Sequence, residues 1–137
     1  NLNQEALDFT GIKPFNPFRF AKAEKIALES IFKPIKQAIT HHQCQRAVLV
    51  GHNAAFDIAF LNAAIERNAI KKNPFHHFTT FDTATLAAVA YGQTVLLRAC
   101  QAANIEFDAE QAHSALYDAE KTAELYCKIV NEWQASH

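Results

Sequence analysis

An α/β domain with few strands and many helices is the fold class this sequence predicts, and three observations predict it. Residues 46–50 form a short apolar run rich in β-branched side chains, and Ile58, Leu61 and Ile65 then mark one face of a helix ending near Asn68. Residues 77–81 read as a second strand closing on Asp82-Thr83. Most of the remaining apolar residues recur at the spacing of one helix face.

Taken in order, Asn3 caps a short helix over residues 4–8 that stops near Gly11, and the two prolines in residues 13–18 then enforce a loop, since each fixes φ and lacks a donor. Between residues 21 and 40 the positions Ala23, Ala27, Ile31, Ile35, Ala38 and Ile39 predict a helix with a kink or restart at Pro34. After the first strand and its helix, Lys71-Lys72-Asn73-Pro74 makes a basic turn. Beyond the second strand, residues 83–91 predict a helix closed by Gly92, Thr94 caps a helix over 95–103, and Leu116, Ala119, Ala123, Tyr126 and Val130 line the last and longest helix. Two strands are few for a stable α/β layer, which usually has about five, so the sheet is expected to be incomplete.

At 137 residues, half of them apolar, the chain suffices for one core and is short for two domains; residues 1–137 are expected to be a single domain. Thirteen basic against fourteen acidic residues give no bulk attraction to a polyanion, so nucleic-acid affinity must come from local patches. Cys44, Cys100 and Cys127 show no Cys-x-x-Cys pair, which predicts reduced thiols acting as small core residues in a cytoplasmic protein. No apolar run reaches the roughly 18 residues of a membrane span. The pairs His41-His42 and His76-His77 have no third ligand at a sensible spacing, which argues against zinc.

Chemistry concentrates in two segments. Asp57 follows the first strand, where α/β sites assemble, and Asp118 lies one turn inside the last helix, five residues after His113. Carboxylate oxygens suit Mg²⁺ or Mn²⁺, and two such ions about 4 Å apart can clamp the attacking and leaving oxygens of a phosphodiester. The neighbouring Phe56 and Tyr117 are expected to bury these carboxylates. An imidazole at a helix start is suited to deprotonate a water. Each residue also has a plainer reading: an exposed helix aspartate, a surface histidine. Asp82 is most simply the cap of the following helix, with support of the site as the alternative. Arg67, Lys71 and Lys72 cluster at the basic turn, as a solvated face or a phosphate-binding patch.

His52, Asn53, Phe56 and Asp57 fit the pattern H-N-x-x-F-D, and His113, Ala115 and Asp118 fit H-x-A-x-x-D. In this order they resemble the second and third motifs of the DEDDh family of 3′→5′ exonucleases, which have the ribonuclease H-like fold. The resemblance covers nearly the whole chain. Residues 71–87, residues 91–103 and the opening 2–12 are similar to the RNA-trimming members in particular. It implies a ribonuclease H-like exonuclease domain and a homodimer that trims 3′ ends of structured RNA, as in tRNA and rRNA maturation, and also digests single-stranded DNA. It implies two Mg²⁺ ions, replaceable by Mn²⁺, on Asp57 and Asp118, with His113 as general base. Terminal bases are then stacked on Phe9, Phe56 and Phe78 and discriminated by Glu5, while Arg46, Lys71 and Lys72 hold RNA for the partner's site.

The family's first motif, Asp-x-Glu on a strand, has no counterpart here, so the chain is expected to be the C-terminal portion of that fold, incomplete at its N-terminus and inactive alone. A proofreading-type DNA exonuclease and a non-catalytic nucleic-acid-binding or dimerisation fragment remain the alternatives.

Overall fold

The computed structural model describes residues 3–11, 13–15 and 22–136. The expected loop residues 16–18 and the expected helix start at Ala21 lie outside them. Among the described residues the order is α1 (Gln4–Thr10), α2 (Glu24–His41), β1 (Ala47–Gly51), α3 (Ala54–Arg67), β2 (Phe75–Asp82), α4 (Thr83–Tyr91), α5 (Leu96–Ala102) and α6 (Ala115–Ser136). This is a mixed α/β architecture, mostly helical around a small parallel sheet, consistent with the exonuclease branch of the ribonuclease H-like fold.

Local chemistry sets most boundaries. The Asn3 side chain accepts the Ala6 N–H at 3.0 Å, satisfying one orphan donor of α1, and Gly11 at φ 66° ends that helix. Gly92, also at φ 66°, ends α4. α5 departs from expectation: its cap is Val95, with no side-chain hydrogen bond, and Thr94 instead offers its carbonyl to His52.

α2 runs unbroken through Pro34, so the expected restart does not occur. Its buried residues are Leu28 and Phe32, while Ile31 is 53% exposed. The face predicted from Ala27 and Ile31 is therefore rotated by about one residue, or 100°. α6 is offset by one residue in the opposite direction, burying Thr122, Leu125 and Ile129 and leaving Leu116 exposed. In α2 the larger side chains one position along win the interior, because buried apolar area scales with size. In α6 the smaller Leu125 is buried ahead of Tyr126, so packing against α4 and α5 chooses the face there.

α3 is the crossover joining β1 to β2, which pair in parallel with Val50 opposite Phe81 and Gly51 opposite Asp82. The core lies to one side of this pair, where α4, α5 and α6 pack Ala87, Ala99, Cys100, Ala103, Leu125 and Ile129 together. Small alanines there let helix backbones approach closely. Cys100 is the expected core thiol, its pKa raised by burial, but Cys44 and Cys127 are exposed, contrary to expectation. Tyr91 donates to Glu132 at 2.6 Å and so ties α4 to α6. No helix among the described residues is long and apolar enough to cross a membrane.

Candidate active site

Both strands end at the same level, and the site is assembled from the turns and helices that leave them. β1 closes on Gly51, and the chain turns through His52 and Asn53, the latter in the left-handed region at φ 63°, before α3 starts at Ala54. Asp82, at the end of β2, secures this turn: its Oδ1 accepts the Asn53 N–H at 3.0 Å and its Oδ2 accepts the Ala54 N–H at 3.0 Å. The same Oδ1 accepts the Ala84 N–H at 2.9 Å. One carboxylate thus caps α4 and fixes the entry to α3. Burial disfavours its ionisation, but N–H groups of Asn53, Ala84, Ala54 and Thr85 outweigh that and hold its carboxyl below the usual range. The capping expected for Asp82 is present; its grip on the α3 turn had no sequence signal.

His52 braces the same corner. Its Nε2 lies 2.7 Å from the Thr94 carbonyl, which only accepts, so that nitrogen carries a proton. Its Nδ1 lies 2.9 Å from the hydroxyl of Thr83, a residue with no solvent exposure. β1, α4 and the α4–α5 loop are thereby joined through one ring.

Asp57 stands in the first turn of α3, where helix N–H groups favour negative charge. A Cβ on Gly51 would sit 3.0 Å from Asp57 Oδ2 and 3.1 Å from Ala54, so the carboxylate folds back over the end of β1 into space that only glycine leaves. Gly51→Ala is expected to displace that carboxylate while costing about 1–2 kcal/mol, within the usual range for overpacking. Paired denaturation and Mn²⁺ titration measure the two effects; a variant that binds Mn²⁺ like the parent contradicts the steric argument.

From the other side, α6 brings Asp118 in its first turn, half-buried, with its N–H bonded to the Ser114 carbonyl at 2.9 Å. His113 precedes it in a turn at φ 74°, a conformation uncommon for a non-glycine residue and one seen at functional positions. Asp57, His113 and Asp118 line a single cleft of about 730 Å³, floored by Val50 and Gly51. The expected burial of the two carboxylates holds only in part: Asp118 is half-buried, but Asp57 is exposed, and Phe56 turns outward against Phe60, ring centroids 4.7 Å apart.

Phe9 meets His113 edge to face at 5.2 Å, which brings α1 against the residue that lines the cleft, with Glu5 exposed one turn earlier in that helix. Phe9, Phe56 and Phe78 are 72%, 67% and 80% exposed, so none is a core residue. Arg46, Lys71 and Lys72 gather elsewhere, around a cavity of about 410 Å³ that also takes Lys36 and His77. A neighbouring hollow adds Lys25 and Lys33, α2 lysines for which the sequence carries no signal beyond their charge. Arg67 is not part of this group, because Glu24 holds it through Nε at 3.0 Å and Nη2 at 2.5 Å. The basic cavity borders the N-terminal ends of the strands and the cleft their C-terminal ends. The four steps of β1 separate them by about 13 Å.

For a divalent metal, Asp57 and Asp118 are hard oxygen donors of the right kind. Among the described residues no group of three or more His, Cys, Asp or Glu is placed to hold an ion. The residues therefore fit part of a metal site.

Comparison with known proteins finds relatives of this chain. The exonuclease family profile of RNase T type matches residues 27–126, a span holding both strands, Asp57, His113 and Asp118. Ribonuclease T of Hahella chejuensis (strain KCTC 2396) is 63% identical over 134 residues, which are 98% of this chain and 62% of that relative. The chain thus spans about three-fifths of the length of this curated relative. On the family match and this identity together, the chain belongs to the RNase T-type exonuclease family.

Proposed function

We propose that residues 1–137 carry the larger part of a single 3′→5′ exoribonuclease domain that trims the ends of structured RNAs, such as tRNA and rRNA precursors, and also degrades single-stranded DNA. The observation that carries this reading is the convergence of Asp57, Asp118 and His113 on one cleft from separate elements. Asp57 and Asp118 hold Mg²⁺ or Mn²⁺, which when bound supplies charge stabilisation to the attacking and leaving oxygens. His113 takes the proton of the attacking water. The terminal bases stack on Phe9, Phe56 and Phe78, each worth roughly 1–3 kcal/mol irrespective of sequence, and Glu5 selects among them by hydrogen bonding.

Arg46, Lys71 and Lys72, with Lys36 beside them, bind backbone phosphates. Their cavity borders the opposite ends of the strands from the cleft of the same copy, which suits a cytoplasmic homodimer in which each copy steadies the strand entering its partner. Two carboxylates are a partial ligand set, so the 137-residue chain by itself binds Mn²⁺ weakly and shortens oligonucleotides little.

A chimera tests the activity. This chain replaces the matching 134 residues of the Hahella relative, and a 5′-labelled RNA with an unpaired 3′ end is incubated in Mg²⁺. Stepwise shortening from the 3′ end is expected, with RNA overhangs preferred to DNA. A folded chimera that leaves the 3′ end intact refutes the proposal, and a preference for DNA overhangs favours a proofreading-type enzyme. For the basic cavity, replacing Lys71 and Lys72 with alanine is expected to weaken single-strand binding and to reduce the slope of log K against log salt by about 1.4, at 0.7 per phosphate released. An unchanged slope assigns these lysines to the solvated surface.

A further inference from the structure

β2 does not run evenly along β1. Ala47 pairs with Phe75 and Leu49 with Thr80, so one residue of β1 faces four of β2, and three residues are extra. Such a bulge leaves backbone donors without ladder partners, and each needs another acceptor. His76 supplies it. Its Nδ1 accepts the Thr79 N–H at 3.0 Å and lies 3.4 Å from the Phe78 N. Its ring meets that of Phe78 at 4.6 Å and 88°. From the other side, Asn62 of α3 donates its amide to the His77 carbonyl at 3.2 Å. The outcome is a phenylalanine held at 80% exposure on a segment that is tied down.

We propose that His76 is a positioning residue for Phe78: the imidazole closes the bulge from within and so pre-sets the ring that receives an unpaired base. This rests on the reading of Phe78 as a stacking residue. Because both partners of Nδ1 are donors, Nδ1 keeps its lone pair and the proton sits on Nε2. An unbraced bulge would present the same ring in many orientations, and ordering it on contact with a base would reduce affinity.

The distinguishing feature is the acceptor rather than the ring. Asparagine carries Oδ1 at the same branch as Nδ1 and accepts from N–H groups two or three residues on, as Asn3 accepts the Ala6 N–H here. Phenylalanine keeps the ring and has no acceptor. The intact 137-residue chain and its His76→Phe, His76→Asn and Phe78→Ala variants are compared by amide exchange at Thr79 and by binding of a single-stranded oligonucleotide bearing 3′-terminal 2-aminopurine. His76→Phe is expected to accelerate Thr79 exchange by at least about fivefold, one hydrogen bond's worth, and to weaken binding about threefold to tenfold, part of the stacking contribution. His76→Asn is expected to restore both to within about twofold of the parent, while Phe78→Ala weakens binding at least as much as His76→Phe does.

Unchanged Thr79 exchange in His76→Phe, or His76→Asn behaving like His76→Phe, overturns the proposal. If Phe78→Ala binds like the parent, it is the stacking reading that fails, and with it the functional half of the inference.

Discussion

An Asp82→Ala chain is expected to unfold about 3 kcal/mol more easily than the parent at neutral pH and to lose the cleft arrangement with it. Removing a capping carboxylate costs about 1 kcal/mol by itself. Here the same group also serves the Asn53 and Ala54 N–H groups, and Ala54 has no solvent exposure, so water cannot readily replace the lost acceptor. An unsatisfied buried donor adds about 1–3 kcal/mol. Asp82→Asn keeps one acceptor oxygen where the carboxylate used two, so about half the loss is expected. The sign of the pH dependence is set by the depressed carboxyl pKa. A group more acidic in the folded state contributes fully above its unfolded value, about 3.9, and that contribution fades as pH falls through the folded value. The gap between parent and Asp82→Ala should therefore be full at pH 7 and narrow below about pH 4. Denaturant titrations at pH 7 and pH 3 measure it; a neutral-pH difference under about 1 kcal/mol would mean that the α3 turn stands without its clamp.

That clamp illustrates what a sequence can and cannot convey. Local rules locate Asn3, Gly11, Asp82 and Gly92, because a cap or a left-handed residue acts within a few positions of itself. Asp57 and Asp118 are legible for a related reason: each stands near the start of a helix and within a recognisable spacing. Which face of α2 or α6 turns inward is not legible, since apolar residues flank both faces and only tertiary packing chooses Leu28 over Ile31 or Leu125 over Tyr126. Pro34 reads as a break because its missing N–H is a local cost, yet α2 absorbs it in an unbroken helix. Contacts far apart in the chain leave no local trace at all: Asp82 to Asn53, His52 to Thr94, Arg67 to Glu24. The left-handed backbone of His113 belongs to the same class, because nothing in Gln111-Ala112-His113-Ser114 demands it.

Neutralising either cleft carboxylate should have the largest functional effect of any single change. In the chimera that tests activity, Asp57→Asn and Asp118→Asn are each expected to slow 3′-end shortening by at least about 10³-fold, since metal-derived charge stabilisation is worth several kcal/mol and 1.36 kcal/mol is a factor of ten. The two substitutions should not add. Groups that act as one unit lose most of their value when the first is removed, and two carboxylates that must grip together across one cleft form such a unit. The double variant should thus fall within about tenfold of either single one, against about 10⁶-fold below the parent if the sites were independent. Asp108→Asn is the control, because that carboxylate is spent on the Glu110 N–H and the Gln111 amide. In the 137-residue chain itself, weak Mn²⁺ binding by calorimetry should vanish in both single variants. Rates that multiply would indicate two separate roles; unchanged Mn²⁺ binding in Asp118→Asn would remove α6 from the metal site and return that residue to the helix surface.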